Sequence, residues 1–248
     1  MPPLPVGFSI ALDPDTVVRS QGRVVVGGDP PRTLSLSPSE SRLLEELGDG
    51  PVRTAEAGAL ARRLVDSGAA HPRPPTVATP GKTVVIVPVR DRPDELDRLL
   101  RSLNASEDAG MVEEVLVVDD GSQDPEAVAS VAARNGARLI VRPVNEGPAA
   151  ARNSGLAACA DDVEYVAFLD SDCVPRPGWL APLLAHFADP EVGAVAPRIR
   201  PARPDRSVLG AYAVARFPLD LGEREALVRP GGRVGYLPTA ALVLRRGA

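Results

Sequence analysis

Asp170-Ser171-Asp172 follows the apolar run Tyr165-Val-Ala-Phe-Leu169. Two carboxylates two residues apart, at the exit of a buried strand, can both offer oxygen ligands to one hard cation. Beside a diphosphate and without that cation they would be repulsive. Like charges near ~4 Å cost about 4 kcal/mol at an effective dielectric of about 20. A divalent ion reverses that sign and stabilises a departing diphosphate. Three further clusters have compatible chemistry. In Val115-Leu-Val-Val-Asp119-Asp120-Gly121-Ser122, one carboxylate can accept from a base N–H or a ribose hydroxyl, while Gly121 permits a tight turn. The same tetrapeptide also reads as an Asx turn. Asn145-Glu-Gly147 leads to Arg152-Asn153, which places a guanidinium in the first turns of a helix, where free N–H groups attract phosphate. Val84-Val-Ile-Val-Pro88-Val89-Arg90-Asp91 brings the Pro88 and Val89 backbone and the Asp91 carboxylate to a strand end. A proline there also simply ends a ladder.

These clusters need strands to carry them and helices to cover the strands. Valine-rich runs alternate with helical patterns from Lys82 onward. Leu96, Leu99, Leu100 and Leu103 follow Pro93 at helical spacing; Val128, Val131 and Ala132 follow Pro125; an alanine-rich helix follows Gly147-Pro148. A fourth helix is expected over 177–188, with Pro182 kinking it or delaying its start. Further strands are expected at 192–195 and 236–244. The pattern predicts an α/β fold with a mainly parallel sheet and helices on both faces. In such sheets ligands bind beyond the carboxyl ends of the strands, so all four clusters share one rim.

Residues 72–82 are dense in proline and read as a linker. They divide a small module, 1–71, from the α/β part, 83–248. The module has β-prone runs at 8–12, 17–18 and 24–26. A capping box, Ser37-Pro-Ser-Glu40, opens one helix, and a second over 54–67 stops at Gly68. Strands plus two short helices describe an α+β, winged-helix-like unit, suited to packing or docking.

Composition narrows the function classes. A net charge of -5 disfavours a nucleic-acid surface. Lys82 is the only lysine and arginine carries nearly all positive charge, a compositional bias. Cys159 and Cys173 lack the C-x-x-C spacing of a zinc site or redox pair. No apolar run reaches the ~18 residues of a membrane span. A cytoplasmic protein is expected, with membrane association left open. His71 and His186 have no ligand-like neighbours in sequence. No nucleophile elbow, phosphate loop or dinucleotide fingerprint follows the first α/β strand. Trp179 can stack on a sugar or anchor a core.

Taken in order, Val-Pro-Val-Arg-Asp91, Val-Val-Asp-Asp-Gly-Ser122, Asn-x-Gly-x-x-x-Ala-Arg-Asn153 and Phe-Leu-Asp-Ser-Asp172 resemble the motif set of family 2 glycosyltransferases. The resemblance runs from Lys82 to the C-terminus and implies a GT-A fold and inverting hexosyl transfer. The phrases Gly68-Ala-Ala-His-Pro-Arg-Pro74 and Leu237-Pro-Thr-Ala-Ala-Leu242 are similar to those of mycofactocin-pathway glycosyltransferases. That likeness implies a UDP-sugar donor, glucose as the sugar, and a peptide-derived or small-molecule acceptor. It implies that Pro88, Val89, Asp91, Asp119 or Asp120, Arg152, Asp170 and Ser171 read the donor. Asp172 with Asp170 would hold Mn²⁺ or Mg²⁺. Family members carry a general base after a stretch like Tyr236–Arg246, so the base is expected beyond Ala248 and the sequence is expected to be a C-terminally truncated piece. The competing expectation is a non-catalytic nucleotide-sugar or peptide-binding module that lacks the base.

Overall fold

The computed structural model describes residues 1–76, 81–201 and 207–247. The chain packs as two compact units. One comprises Met1–Val77, Ala185–Glu191 and Gly222–Leu237; the other comprises Ala78–Leu184, Val192–Leu221 and Pro238–Ala248. This grouping differs from a single boundary at 72–82, because 185–191 and 222–237 pack with the N-terminal residues. Long-range side-chain bonds hold both segments there. Arg62 donates to Asp189 at 2.7 Å, Arg73 to Glu225 at 2.6 Å, and Arg229 to the carbonyls of Asp66 and Ser67 at 2.7 and 3.0 Å.

In the first unit, β1 (Ser9–Leu12) pairs antiparallel with β5 (Ala70–Arg73), while β2 (Val17–Arg19), β3 (Val24–Gly27) and β4 (Arg32–Ser35) form a meander. Helices α1 (Pro38–Asp49) and α2 (Ala55–Ser67) cover a core that includes Phe8, Val25, Leu47, Leu60 and Leu64. The capping box forms as expected: Ser37 N donates to Glu40 at 2.8 Å and Glu40 N to Ser37 Oγ at 3.2 Å. Gly68 ends α2 at φ 74°, a left-handed turn that favours glycine. β4 and β5 have too little apolar alternation to stand out in sequence. Pro72 and Arg73 of β5 pair with Ile10 and Ser9, so the ladder takes the first two residues of the expected linker. Residues 77–80 of that linker lie outside the described residues. His71 is buried, its Nε2 2.9 Å from Asp13 Oδ2, which makes it a structural histidine.

The second unit holds a six-stranded mixed sheet of β6 (Thr83–Val89), β7 (Val112–Asp120), β8 (Arg138–Arg142), β9 (Tyr165–Leu169), β10 (Ala194–Val195) and β11 (Ala241–Arg245). Their order is β10-β11-β9-β6-β7-β8. Strands β9, β6, β7 and β8 run parallel; β11 and β10 are antiparallel additions. The connecting helices are α3 (Pro93–Asn104), α4 (Pro125–Arg134), α5 (Pro148–Ala157), α6 (Leu180–Ala185) and α7 (Val208–Ala215). Val84, Ile86, Leu116, Val118, Val166 and Phe168 share one core with Ala151 of α5. Val85, Val87 and Val117, which alternate with them, are equally buried, and this burial of both faces accounts for the continuous valine runs. Gly155 lets α5 approach the sheet; a Cβ there would lie 2.5 Å from Ile86 Cγ2.

Three elements differ from their sequence-based extents. The fourth helix starts at Leu180, not 177, and Pro182 then falls in its first turn, where a missing N–H costs no helical bond. It continues as a 3₁₀ turn, His186–Ala188. The last strand begins at Ala241, not 236: Gly235 and Pro238 are poor ladder members, and Tyr236 is exposed. The strand expected at 192–195 shortens to Ala194–Val195. Among the described residues no helix is long and apolar enough to cross a membrane.

Candidate donor-binding cleft

The chain passes β6→β7→β8 to one side and then returns to place β9 on the other side of β6. This reversal is a topological switch point, where α/β sheets open a ligand crevice at the carboxyl ends of their strands. The β6–β9 ladder stops at Ile86 and Phe168, whereas the β6–β7 ladder continues to Val89 and Asp119. The chain ends beyond β6 and β9 therefore part, and a cleft of about 470 Å³ lies there. Pro88, Val89, Asp120, Arg152, Asp170, Ser171 and Asp172 line it, so residues from all four sequence clusters converge. Arg90, Arg92, Asn145, Gly147 and Pro148 complete the wall.

Asp91 and Asp119 are not among the lining residues. They belong to the hydrogen-bond network that ties the end of β6 to the end of β7. Ser122 Oγ donates to Asp119 Oδ1 at 2.5 Å and accepts from Asp91 N at 2.9 Å; Gln123 N donates to Asp91 Oδ1 at 2.7 Å. Asp91 takes φ 53°, a left-handed conformation that costs a non-glycine residue about 1–3 kcal/mol and that this network holds in place. Asp119 is fully buried, and its Oδ2 has no partner among the described residues. An orphaned carboxylate oxygen is a ready acceptor for a donor group arriving at the strand end.

The two aspartates of the pair alternate in direction, as strand geometry requires. Asp120 accepts from Gly147 N at 2.8 Å, from Glu146 N at 3.2 Å and from Arg142 at 2.6 Å. It thereby fixes the loop that starts α5. Gly121, at φ 71°, sits where a Cβ would lie 2.8 Å from Asn145 N, so the turn after the pair packs against the same loop. On α5, Arg152 pairs with Asp170, and its Nε is buried without an acceptor among the described residues. Arg92, at the N-cap of α3, pairs with Asp172 at 2.8 Å.

Asp170 and Asp172 suit a divalent cation. They are hard oxygen donors on one cleft wall, and two carboxylates completed by substrate phosphates and water are the usual magnesium-type arrangement. Among the described residues no group of three or more His, Cys, Asp or Glu side chains gathers as a cage, so phosphate would supply part of the shell. Cys173, the next residue, is held in its thiol form by its surroundings. Burial, then the charges of Asp170 and Asp172, push its thiol up to about 11, and its Sγ lies 3.2 Å from the Ala240 carbonyl.

Arg92 and Arg142 carry no motif of their own in the sequence. Arg142 faces Asp120 only through the β7–β8 register, and Arg92 meets Asp172 only because β6 and β9 are neighbours. Contiguous residues encode neither relation. The Arg-Pro step at 92–93, a helix start directly after the Asp91 cluster, was the one local signal.

The geometry agrees with known proteins. Residues 84–247 match the model of "Glycosyl transferase family 2". A pre-mycofactocin glycosyltransferase of Mycobacterium tuberculosis is 43% identical over 246 residues, covering 99% of this chain and 50% of that protein. The chain thus spans about half the length of that relative. The solved mannosyltransferase from Pyrobaculum calidifontis, in complex with GDP-Man and Mn²⁺, superposes with a TM-score of 0.51 at 25% identity, over 70% of this chain and 47% of that one. S. aureus TarS 1-349 shares the fold with a TM-score of 0.51 at 24% identity, covering 67% of this chain and 47% of its own. With motif order, switch-point cleft and sequence match in agreement, the chain belongs to glycosyl transferase family 2.

Proposed function

We propose that the cleft binds a nucleoside diphosphate sugar and that the protein transfers its hexosyl group, with inversion, to an acceptor hydroxyl. The observation that carries this reading is the placement of Pro88, Val89, Asp120, Arg152, Asp170, Ser171 and Asp172 around one crevice at the sheet's switch point. The acceptor oxygen attacks the anomeric carbon, the bond from that carbon to the diphosphate breaks, and the acceptor proton passes to a general base. A divalent cation at Asp170 and Asp172, Mn²⁺ or Mg²⁺, would neutralise the departing diphosphate. Asp119 Oδ2 accepts a donor from the base or ribose, while Asp91 and Ser122 hold that carboxylate in place. Arg152 supplies positive charge at the start of α5, toward the diphosphate. Donor binding is assigned to the second unit, which contributes every lining residue.

The finer choices rest on the mycobacterial relative. An acceptor of the pre-mycofactocin kind is the reading that its name and 43% identity support, and we take UDP-glucose as the donor and a peptide-derived acceptor as the expectations to test.

Calorimetric titration of UDP and UDP-glucose, with and without Mn²⁺, tests the site. Binding is expected only with the metal and should vanish in Asp172→Ala. Absence of binding to the folded protein under every condition would falsify the donor-site assignment.

A further inference from the structure

The cleft pairs its carboxylates with arginines: Arg142 with Asp120, Arg152 with Asp170, and Arg92 with Asp172. These pairs are not equivalent. The Arg142 and Asp120 side chains are 12% and 6% exposed and those of Arg152 and Asp170 are 11% and 35%, whereas both members of the third pair, Arg92 and Asp172, are about half exposed, at 56% and 53%. Buried pairs are held by desolvation of whichever partner would be left alone. An exposed pair is worth at most roughly fivefold in an equilibrium and opens readily. Arg92 stands at the N-cap of α3, where a donor-only guanidinium cannot cap the helix N–H groups, and its side chain points to Asp172 instead.

We propose, resting on the donor-site reading above, that Arg92 is a charge-exchange residue. It occupies Asp172 in the ligand-free cleft and gives that carboxylate up to a divalent cation. Its fork then turns to the diphosphate that accompanies the cation. The chemistry favours the exchange in this direction. A hard cation prefers carboxylate oxygen, and a guanidinium binds phosphate in bidentate fashion. Metal alone must break the pair and leave Arg92 without a partner; UDP alone meets an arginine already engaged. Only the two together satisfy every charge, so each strengthens the other, and by linkage the factor is the same in both directions.

The test measures Mn²⁺ binding by loss of the free-ion EPR signal, and UDP binding by calorimetry, in wild type, Arg92→Gln and Arg98→Gln. Arg98 is an exposed α3 arginine near Glu95, and it controls for simple loss of charge. In Arg92→Gln, Mn²⁺ alone should bind roughly two- to fivefold more tightly, because Asp172 no longer has a competitor. UDP in the presence of Mn²⁺ should bind about tenfold more weakly, because the charge-assisted hydrogen bonds from the guanidinium to phosphate are gone. Arg98→Gln should change neither. A merely structural arginine would not strengthen metal binding on removal. If Mn²⁺ affinity in Arg92→Gln stays at or below the wild-type value, or Arg98→Gln reproduces the shifts, the exchange role is wrong while the donor site stands. If wild type itself binds no UDP with Mn²⁺, the donor-site reading fails first.

Discussion

The Arg62–Asp189 pair of the first unit and the Arg92–Asp172 pair of the second have nearly the same length, 2.7 and 2.8 Å, yet they differ in what surrounds them. Arg62 and Asp189 are 8% and 5% exposed. Arg62 also donates to the Pro2 carbonyl at 3.0 Å, and Asp189 accepts from Glu191 N at 3.1 Å. That pair is built into the fold. The cleft pair is half in water and has no such supports among the described residues, as the proposed exchange of partners requires. Distance alone does not separate a structural ion pair from a functional one; desolvation does.

The largest expected effect breaks the structural side. Arg62→Ala takes the buried guanidinium away from Asp189, and should lower unfolding free energy by about 3–5 kcal/mol in urea titration. Arg92→Gln, by contrast, should leave the urea midpoint nearly unchanged. A second, intermediate effect concerns the scaffold under the cleft. Gly155→Ala drives a Cβ into Ile86 and should cost about 1–3 kcal/mol while shifting α5 and Arg152 with it. UDP affinity should therefore fall together with thermal stability, which Arg92→Gln does not do.

The smallest effect sharpens the contrast by pH. The Ser37 backbone N–H, then its hydroxyl, hold the Glu40 carboxyl below its ordinary value of 4.5. A depressed carboxyl contributes stability above its unfolded value and loses it as pH falls through its folded value. Glu40→Gln should thus cost under about 1 kcal/mol at neutral pH. The gap from wild type should close below about pH 4.5, measured by urea unfolding at each pH. A gap that widened on acidification would contradict the capping box.

Much of this molecule is legible in its chain because the signals are local. The Ser37–Glu40 box, the prolines that start α3, α4 and α5, and Gly68 act within four residues, and each stands where expected. Valine runs buried on both faces announce a mainly parallel sheet. What failed were elements whose partner lies far along the chain. β5 contains Pro72 and has no alternation, yet β1 makes it a strand. The segment 222–237 carries no periodic pattern, and salt bridges and backbone acceptors place it in the first unit.

The same division runs through the site. The residue types and order of the four clusters are properties of the sequence, and they alone determined the family, because strand-end chemistry is written in contiguous residues. Tertiary structure decided that Asp120 fixes the α5 loop while Asp119 keeps an unpartnered oxygen, since adjacent strand residues face opposite ways. It also decided that Arg142 serves Asp120 and Arg92 meets Asp172. Those pairings follow from sheet order and register, which no single segment of chain contains.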